Sequence, residues 1–292
     1  MTIIIEREFE REGGLRAHGS KNSRDGRVHR HIKSGNQIIL HRLSEDILTS
    51  NVFGILEKLE PIKWLKSILA QSYNSIQFPE IRLDSNYHGD KIKFFFWHEL
   101  GRPKRPKGYE EGSTQVDLLM VMPYTVVSFE IKLNSELSPE ITTDKEDPMK
   151  KRPGVPDPTL RWDQVIRNLE RGYVYTKDNY PDKTFLFFIL AMEEESMRTS
   201  FYSRYKGHPE EIKRQIESGY RWNVEDIPKY FNDVTYQILS QSLAWMTWTE
   251  LAEILEEIKF QTTVENSFKD EVTDYIHTKV ALYEEAKSKG TA

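Results

Sequence analysis

The chain has 292 residues, 38% of them hydrophobic and 30% charged, with no cysteine and a formal net charge of −5. Without cysteine there is no disulfide framework, thiolate zinc site, iron–sulfur cluster or cysteine nucleophile, so any metal must rest on carboxylates, carbonyls or imidazoles. The charge is unevenly divided: residues 1–109 carry 19 Lys and Arg against 13 Asp and Glu, and residues 110–292 carry 22 against 33.

Residues 1–40 read as a basic, irregular arm, with five glycines before residue 36 and six Lys or Arg against one acid between Arg16 and Lys33. Ser44 reads as an N-cap, with Glu45 and Asp46 in the first turn. Leu48, Val52, Ile55, Leu56 and Leu59 then mark one face of a helix that stops before Pro61. A second helix starts at Pro61, with Trp64, Leu65, Ile68 and Leu69 on its stripe. Ile81–Leu83 and the aromatic run Lys91–Leu100 read as β-structure around a turn at residues 87–90.

Next comes a basic Pro/Gly loop in which Arg102, Lys104, Arg105 and Lys107 suit phosphate neutralisation. Two strands follow, Thr114–Met122 and Thr125–Leu133, joined at Pro123 and Tyr124. Ser138–Thr159 holds five of the 13 prolines and reads as a long loop. A helix from Leu160 to about Thr176 precedes an apolar strand, Thr184–Ala191. Beyond it the sequence predicts a polar connection, a strand near Val234–Trp245, a helix over Thr249–Ile258 and a terminal amphipathic helix. The longest apolar run, Thr184–Met192, is too short to span a membrane, and the opening MTIIIEREFE turns acidic too early for a signal peptide. The expected location is the cytoplasm.

Charged residues inside apolar strands need a reason. A two-residue loop at Pro123-Tyr124 would set Asp117 directly opposite Glu130, with Cβ atoms about 5 Å apart. Lys132, two residues on, projects from the same face as Glu130. Two carboxylates repel unless a cation lies between them, and an all-oxygen ligand set suits Mg²⁺ or Mn²⁺. An acid-x-Lys pattern is common by itself. It occurs four times here, but only the one starting at Glu130 lies in a predicted strand with an Asp on the preceding strand.

This arrangement resembles the PD-(D/E)xK nuclease superfamily. The resemblance implies an α/β fold: a restriction-endonuclease-like αβββαβ core with a mixed central sheet flanked by helices. The core would span residues 41–195, and an added strand and helices, residues 196–292, would form a C-terminal extension. The family's acidic pair and lysine fall on Asp117, Glu130 and Lys132, with Val116 in place of the usual proline. The resemblance adds Ile131 as a backbone carbonyl ligand and Glu45 as a further metal-binding carboxylate. By helical angle, Glu45 turns toward Val52 and Leu56. The segment LTSNVFGILEKL also looks like the first helix of nuclease-like proteins of bacteria and their viruses. Some members place a glutamine and a tyrosine four residues apart on the helix after the lysine strand. Here Gln164 is followed at that spacing by Asn168, and Gln164 and Arg171 are expected at a nucleic-acid backbone.

The implied activity is Mg²⁺- or Mn²⁺-dependent phosphodiester hydrolysis by an endonuclease, with DNA rather than RNA the expected substrate, in prokaryotic defence, as a homodimer or with a partner protein. The alternative is a non-cleaving nucleic-acid-binding or scaffolding subunit of a defence or repair complex.

Overall fold

A computed structural model describes residues 45–72, 92–101, 114–132, 164–192, 195–218 and 227–288. The expected N-terminal arm, the Ser44 cap, the Ile81–Leu83 strand, the Arg102–Lys107 loop and the Ser138–Thr159 loop lie outside these residues. The described residues fall into two compact units, 45–61 with 248–288, and 62–247.

The first unit is helical: α1 (Glu45–Leu56), and, far along the chain, α7 (Trp248–Glu257) and α8 (Thr263–Ser288). α1 is buried around most of its circumference, including Leu48, Asn51, Val52, Phe53 and Leu56. Asn51 Nδ2 donates to the Tyr275 hydroxyl of α8 at 3.0 Å, so a buried amide finds its partner across the helix pair. α8 opens on a reciprocal cap: Thr262 Oγ1 accepts from Glu265 N (3.1 Å) while Glu265 Oε2 accepts from Thr262 N (3.2 Å). The predicted stripe of α8 is realised at Val272, Tyr275, Ile276 and Tyr283, which are buried, whereas Phe268 is exposed.

The second unit is built on one sheet. After α2 (Pro61–Ser72) come β1 (Lys93–Glu99), β2 (Gln115–Val121) and β3 (Thr125–Ile131). Then follow α3 (Gln164–Asn179), β4 (Thr184–Ala191), α4 (Glu195–Arg204), α5 (Pro209–Ser218), α6 (Asp233–Gln241) and β5 (Leu243–Thr247). The chain is thus mixed α/β, with a five-stranded sheet in the order β1-β2-β3-β4-β5. β1, β2 and β3 run antiparallel, and β4 and β5 run parallel to β3. Every residue of β4 except the first is buried, as a parallel strand covered on both faces requires.

The hairpin register follows from the two-residue turn. Met122 N donates to Thr125 O at 2.8 Å, and Leu118 pairs with Phe129 and Val121 with Val126. α3 crosses the sheet through a core in which Val165, Ile166, Leu169 and Tyr173 meet Phe185, Phe187 and Ile189. Burial of each large apolar side chain there contributes about 1.5–3 kcal/mol. Gly172 allows the close approach: a Cβ at that position would lie 2.6 Å from Cζ of Phe185.

The strand expected near Val234–Trp245 is a correction. Residues 233–241 are helical and only 243–247 are extended. Asn232 supplies the N-cap, its side chain accepting from Thr235 N at 2.9 Å, and this local bond commits the segment to a helix despite its β-branched content. The connection after β4 also holds α4 and α5. No helix among the described residues is long and apolar enough to cross a membrane.

Candidate active site

The C-terminal end of β3 and the start of β2 carry the charged residues singled out in the sequence. Asp117, Glu130 and Lys132 are 6%, 1% and 6% exposed. Three ionisable side chains so deeply buried within a few residues of one another would each cost several kcal/mol unless paired and hydrogen-bonded. The pairing is local. Lys132 Nζ lies 2.8 Å from Glu130 Oε1, and Asp117 Oδ2 accepts from the Ile131 backbone N–H at 2.7 Å. The regular β2–β3 ladder ends at Leu118↔Phe129. One residue further along, the Asp117 carboxylate takes the place of a backbone acceptor, which ties it to the strand segment that carries Glu130 and Lys132.

Strand alternation sets Ser128 and Glu130 on one face of β3, and α3 covers that face. Above Ser128 lies Gly172, where a Cβ would stand 3.7 Å from Ser128 Cβ. One turn earlier in the helix, Asn168 Nδ2 donates to Glu130 Oε2 at 2.6 Å, and one turn before that Gln164 Nε2 donates to Glu130 Oε1. Residues four apart on a helix share one face, so both amides reach a single carboxylate. Glu130 therefore receives an ammonium and a carboxamide on one oxygen and a second carboxamide on the other.

Gln164 and Arg171, expected at a nucleic-acid backbone, are turned onto the protein itself. Gln164 meets Glu130, and Arg171 Nη2 donates to the Leu100 carbonyl at 2.9 Å. The helix is buried on its amide face as well as on its apolar stripe, since Asn168 (1% exposed) and Leu169 (0%) are both inside. Asn168 is the residue that sequence reasoning missed as a Glu130 partner. Its spacing from Gln164, on the helix after the lysine strand, was the available signal.

At the neighbouring edge, Trp97 adopts a left-handed φ of 49°, rare for a bulky residue. Lys93↔Val121 through Phe96↔Leu118 and then His98↔Val116 keep one register on either side of it, so Trp97 stands opposite Asp117. Gln115 Nε2 holds the Trp97 carbonyl at 2.7 Å. The irregularity breaks the alternation of β1: the rings of Phe95 and His98 meet at a tilt, 5.3 Å apart, and His98 meets Tyr175 of α3 edge-on at 4.9 Å. Burial holds the His98 pKa below the ordinary histidine value, against the opposing pull of Glu99.

Glu45 opens α1, in the helical unit; it is half-buried, and its backbone carbonyl accepts from Thr49 Oγ1 at 2.7 Å. Arg102, Lys104, Arg105 and Lys107 lie outside the described residues. Compared with protein-family models, curated proteins and solved structures, the chain matches none.

Proposed function

We propose that this protein is a metal-dependent nuclease of the PD-(D/E)xK kind, hydrolysing phosphodiester bonds in DNA, with residues 41–195 as a restriction-endonuclease-like core. The observation that carries the reading is the convergence of Asp117, Glu130 and Lys132, all buried, on the segment around Ile131. Buried carboxylates held beside a buried lysine on one patch of sheet are a mark of functional sites. The element order helix, three strands, helix, strand, with β4 parallel to β3, supports the same reading.

The donor set fits a hard divalent cation. Asp117 and Glu130 supply two carboxylates, the Ile131 carbonyl a neutral oxygen, and the chain has no thiolate to favour a softer metal. Mg²⁺ or Mn²⁺, when bound, supplies positive charge to the scissile phosphate and acidifies a coordinated water. The chain's own groups do the rest. Lys132 offers an ammonium to the charge that builds on the phosphate as the water oxygen bonds to phosphorus and the ester P–O bond breaks. Asp117, anchored to the Ile131 N–H, keeps its carboxylate fixed relative to the Glu130–Lys132 pair. The basic runs Arg16–Lys33 and Arg102–Lys107 would neutralise backbone phosphates without reading sequence. A defence role, and a homodimer or partner protein, are proposed from the resemblance alone, and a cytoplasmic location from the sequence.

One observation favours a second reading, a non-cleaving nucleic-acid-binding or scaffolding subunit: the protein itself already bonds both oxygens of Glu130. A single experiment separates the two. Single- and double-stranded DNA and RNA are incubated with the protein in Mg²⁺, Mn²⁺ or EDTA, alongside Asp117→Ala. The nuclease reading expects cleavage that needs the cation and is lost in the variant while binding persists. Binding without cleavage under every condition would sink it.

A further inference from the structure

Asn168 is 1% exposed, its Nδ2 donates to Glu130 Oε2 at 2.6 Å, and its Oδ1 is buried with no hydrogen-bond partner. The orientation of this amide is fixed by its neighbour. Turned over, Oδ1 would face a carboxylate oxygen and the Glu130 bond would be lost. A leucine would fill nearly the same volume and remove the unpartnered Oδ1, but it would also strip Glu130 Oε2 of its carboxamide donor, so the amide is kept for its bond to Glu130 despite its own unpaired acceptor. The arrangement therefore favours something other than packing. Glu130 has two claims on it: Lys132 on Oε1, and the carboxamides of Gln164 and Asn168, one on each oxygen. Without the carboxamide on Oε2, that oxygen would lose the donor that opposes rotation of the carboxylate toward the lysine ammonium, a point charge on Oε1.

Resting on the nuclease reading of this site, we propose that Asn168 is a positioning residue that holds Glu130 in a cation-binding orientation against the pull of Lys132. Its buried Oδ1 would remain available as an acceptor when the ion is bound. Partners of this kind behind a ligating side chain usually contribute 10- to 100-fold to metal affinity.

The test is Mn²⁺ affinity of the full chain, read from the electron paramagnetic resonance signal of free Mn²⁺, well below the melting temperature. Asn168→Leu and Asn168→Ala should each weaken Mn²⁺ binding by roughly 10- to 100-fold. Thr176→Val removes a buried hydroxyl bond to the Gly172 carbonyl of the same helix, and should leave the affinity where it is in the wild type. Asn168→Ala, smaller and favourable in a helix, keeps the test open should the leucine variant misfold. If both Asn168 variants bind Mn²⁺ as the wild type does, the positioning role is wrong and the metal site stands. If the wild type shows no Mn²⁺ binding that Asp117→Asn removes, the site reading itself fails and takes this role with it.

Discussion

A lysine serves each end of the β2–β3 hairpin, and the two are handled differently. At the turn, the half-buried Lys183 directs its Nζ to the carbonyls of Met122 and Pro123, the latter at 2.9 Å. Partial burial, with Lys93 nearby, holds its pKa below the usual lysine value. At the open end, the buried Lys132 is paired with a carboxylate at 2.8 Å, beside a second carboxylate anchored one strand away. The turn needs donors for its carbonyls, and one cation supplies them. The open end assembles more charge than strand pairing requires. Surplus buried charge at one end of an otherwise apolar hairpin marks the place to look for chemistry.

Removing each lysine tests that contrast most severely. On the proposed nuclease reading, Lys132→Met should lower phosphodiester cleavage by roughly 10²–10³-fold or more, the usual scale for losing one group that stabilises transition-state charge. It should also destabilise the fold by about 3–5 kcal/mol, because a buried carboxylate loses its cation. Chemical denaturation should then show the double variant Glu130→Gln/Lys132→Met regaining much of that stability with activity still absent. A single Lys132→Met variant that cuts at the wild-type rate would remove the distinction between the two ends.

The next effect concerns the helix that brings the amides to Glu130. Gly172→Ala places a Cβ against the Phe185 ring, 2.6 Å from Cζ and 2.7 Å from Cε2. The ring sits in the core and cannot yield cheaply, so overpacking should cost about 1–3 kcal/mol in a denaturation midpoint despite the better helix propensity of alanine. Lys183→Met is expected to cost about 1 kcal/mol or less, since turn carbonyls can turn to water, and to leave cleavage unchanged.

Much of this architecture was legible in the sequence because local rules governed it. The Pro123-Tyr124 loop set the hairpin register, and with it the Asp117–Glu130 proximity, before any tertiary contact was considered. Helical spacing gave α1, α2 and α8, and an apolar run gave β4. What was not legible depends on packing. Asn168 and Gln164 read as a polar face because periodicity does not reveal that a helix can be covered on its polar side by a buried carboxylate. The grouping of α1 with α7 and α8 joins segments about 200 residues apart, which no local pattern encodes. The helix at 233–241 was hidden by its β-branched residues, with the deciding cap lying one residue upstream.

The smallest expected effect lies beside the open end, where the break in β1 at Trp97 turns His98 onto the ring of Tyr175. His98 Nε2 is buried without a hydrogen-bond partner, and burial lowers the pKa of the ring below its unfolded value near 6.5. The folded state therefore binds fewer protons than the unfolded state once the pH drops below that value. Stability is fully present above about pH 6.5 and falls as the pH is lowered through the window between the unfolded and the depressed folded pKa. His98→Gln cannot titrate, so its loss of stability between pH 7.5 and 5 should be shallower than that of the wild type in denaturation at each pH. Equal slopes would mean that His98 reaches solvent on protonation, and that the Trp97 irregularity serves the geometry of the strand edge next to Asp117 without enclosing the imidazole.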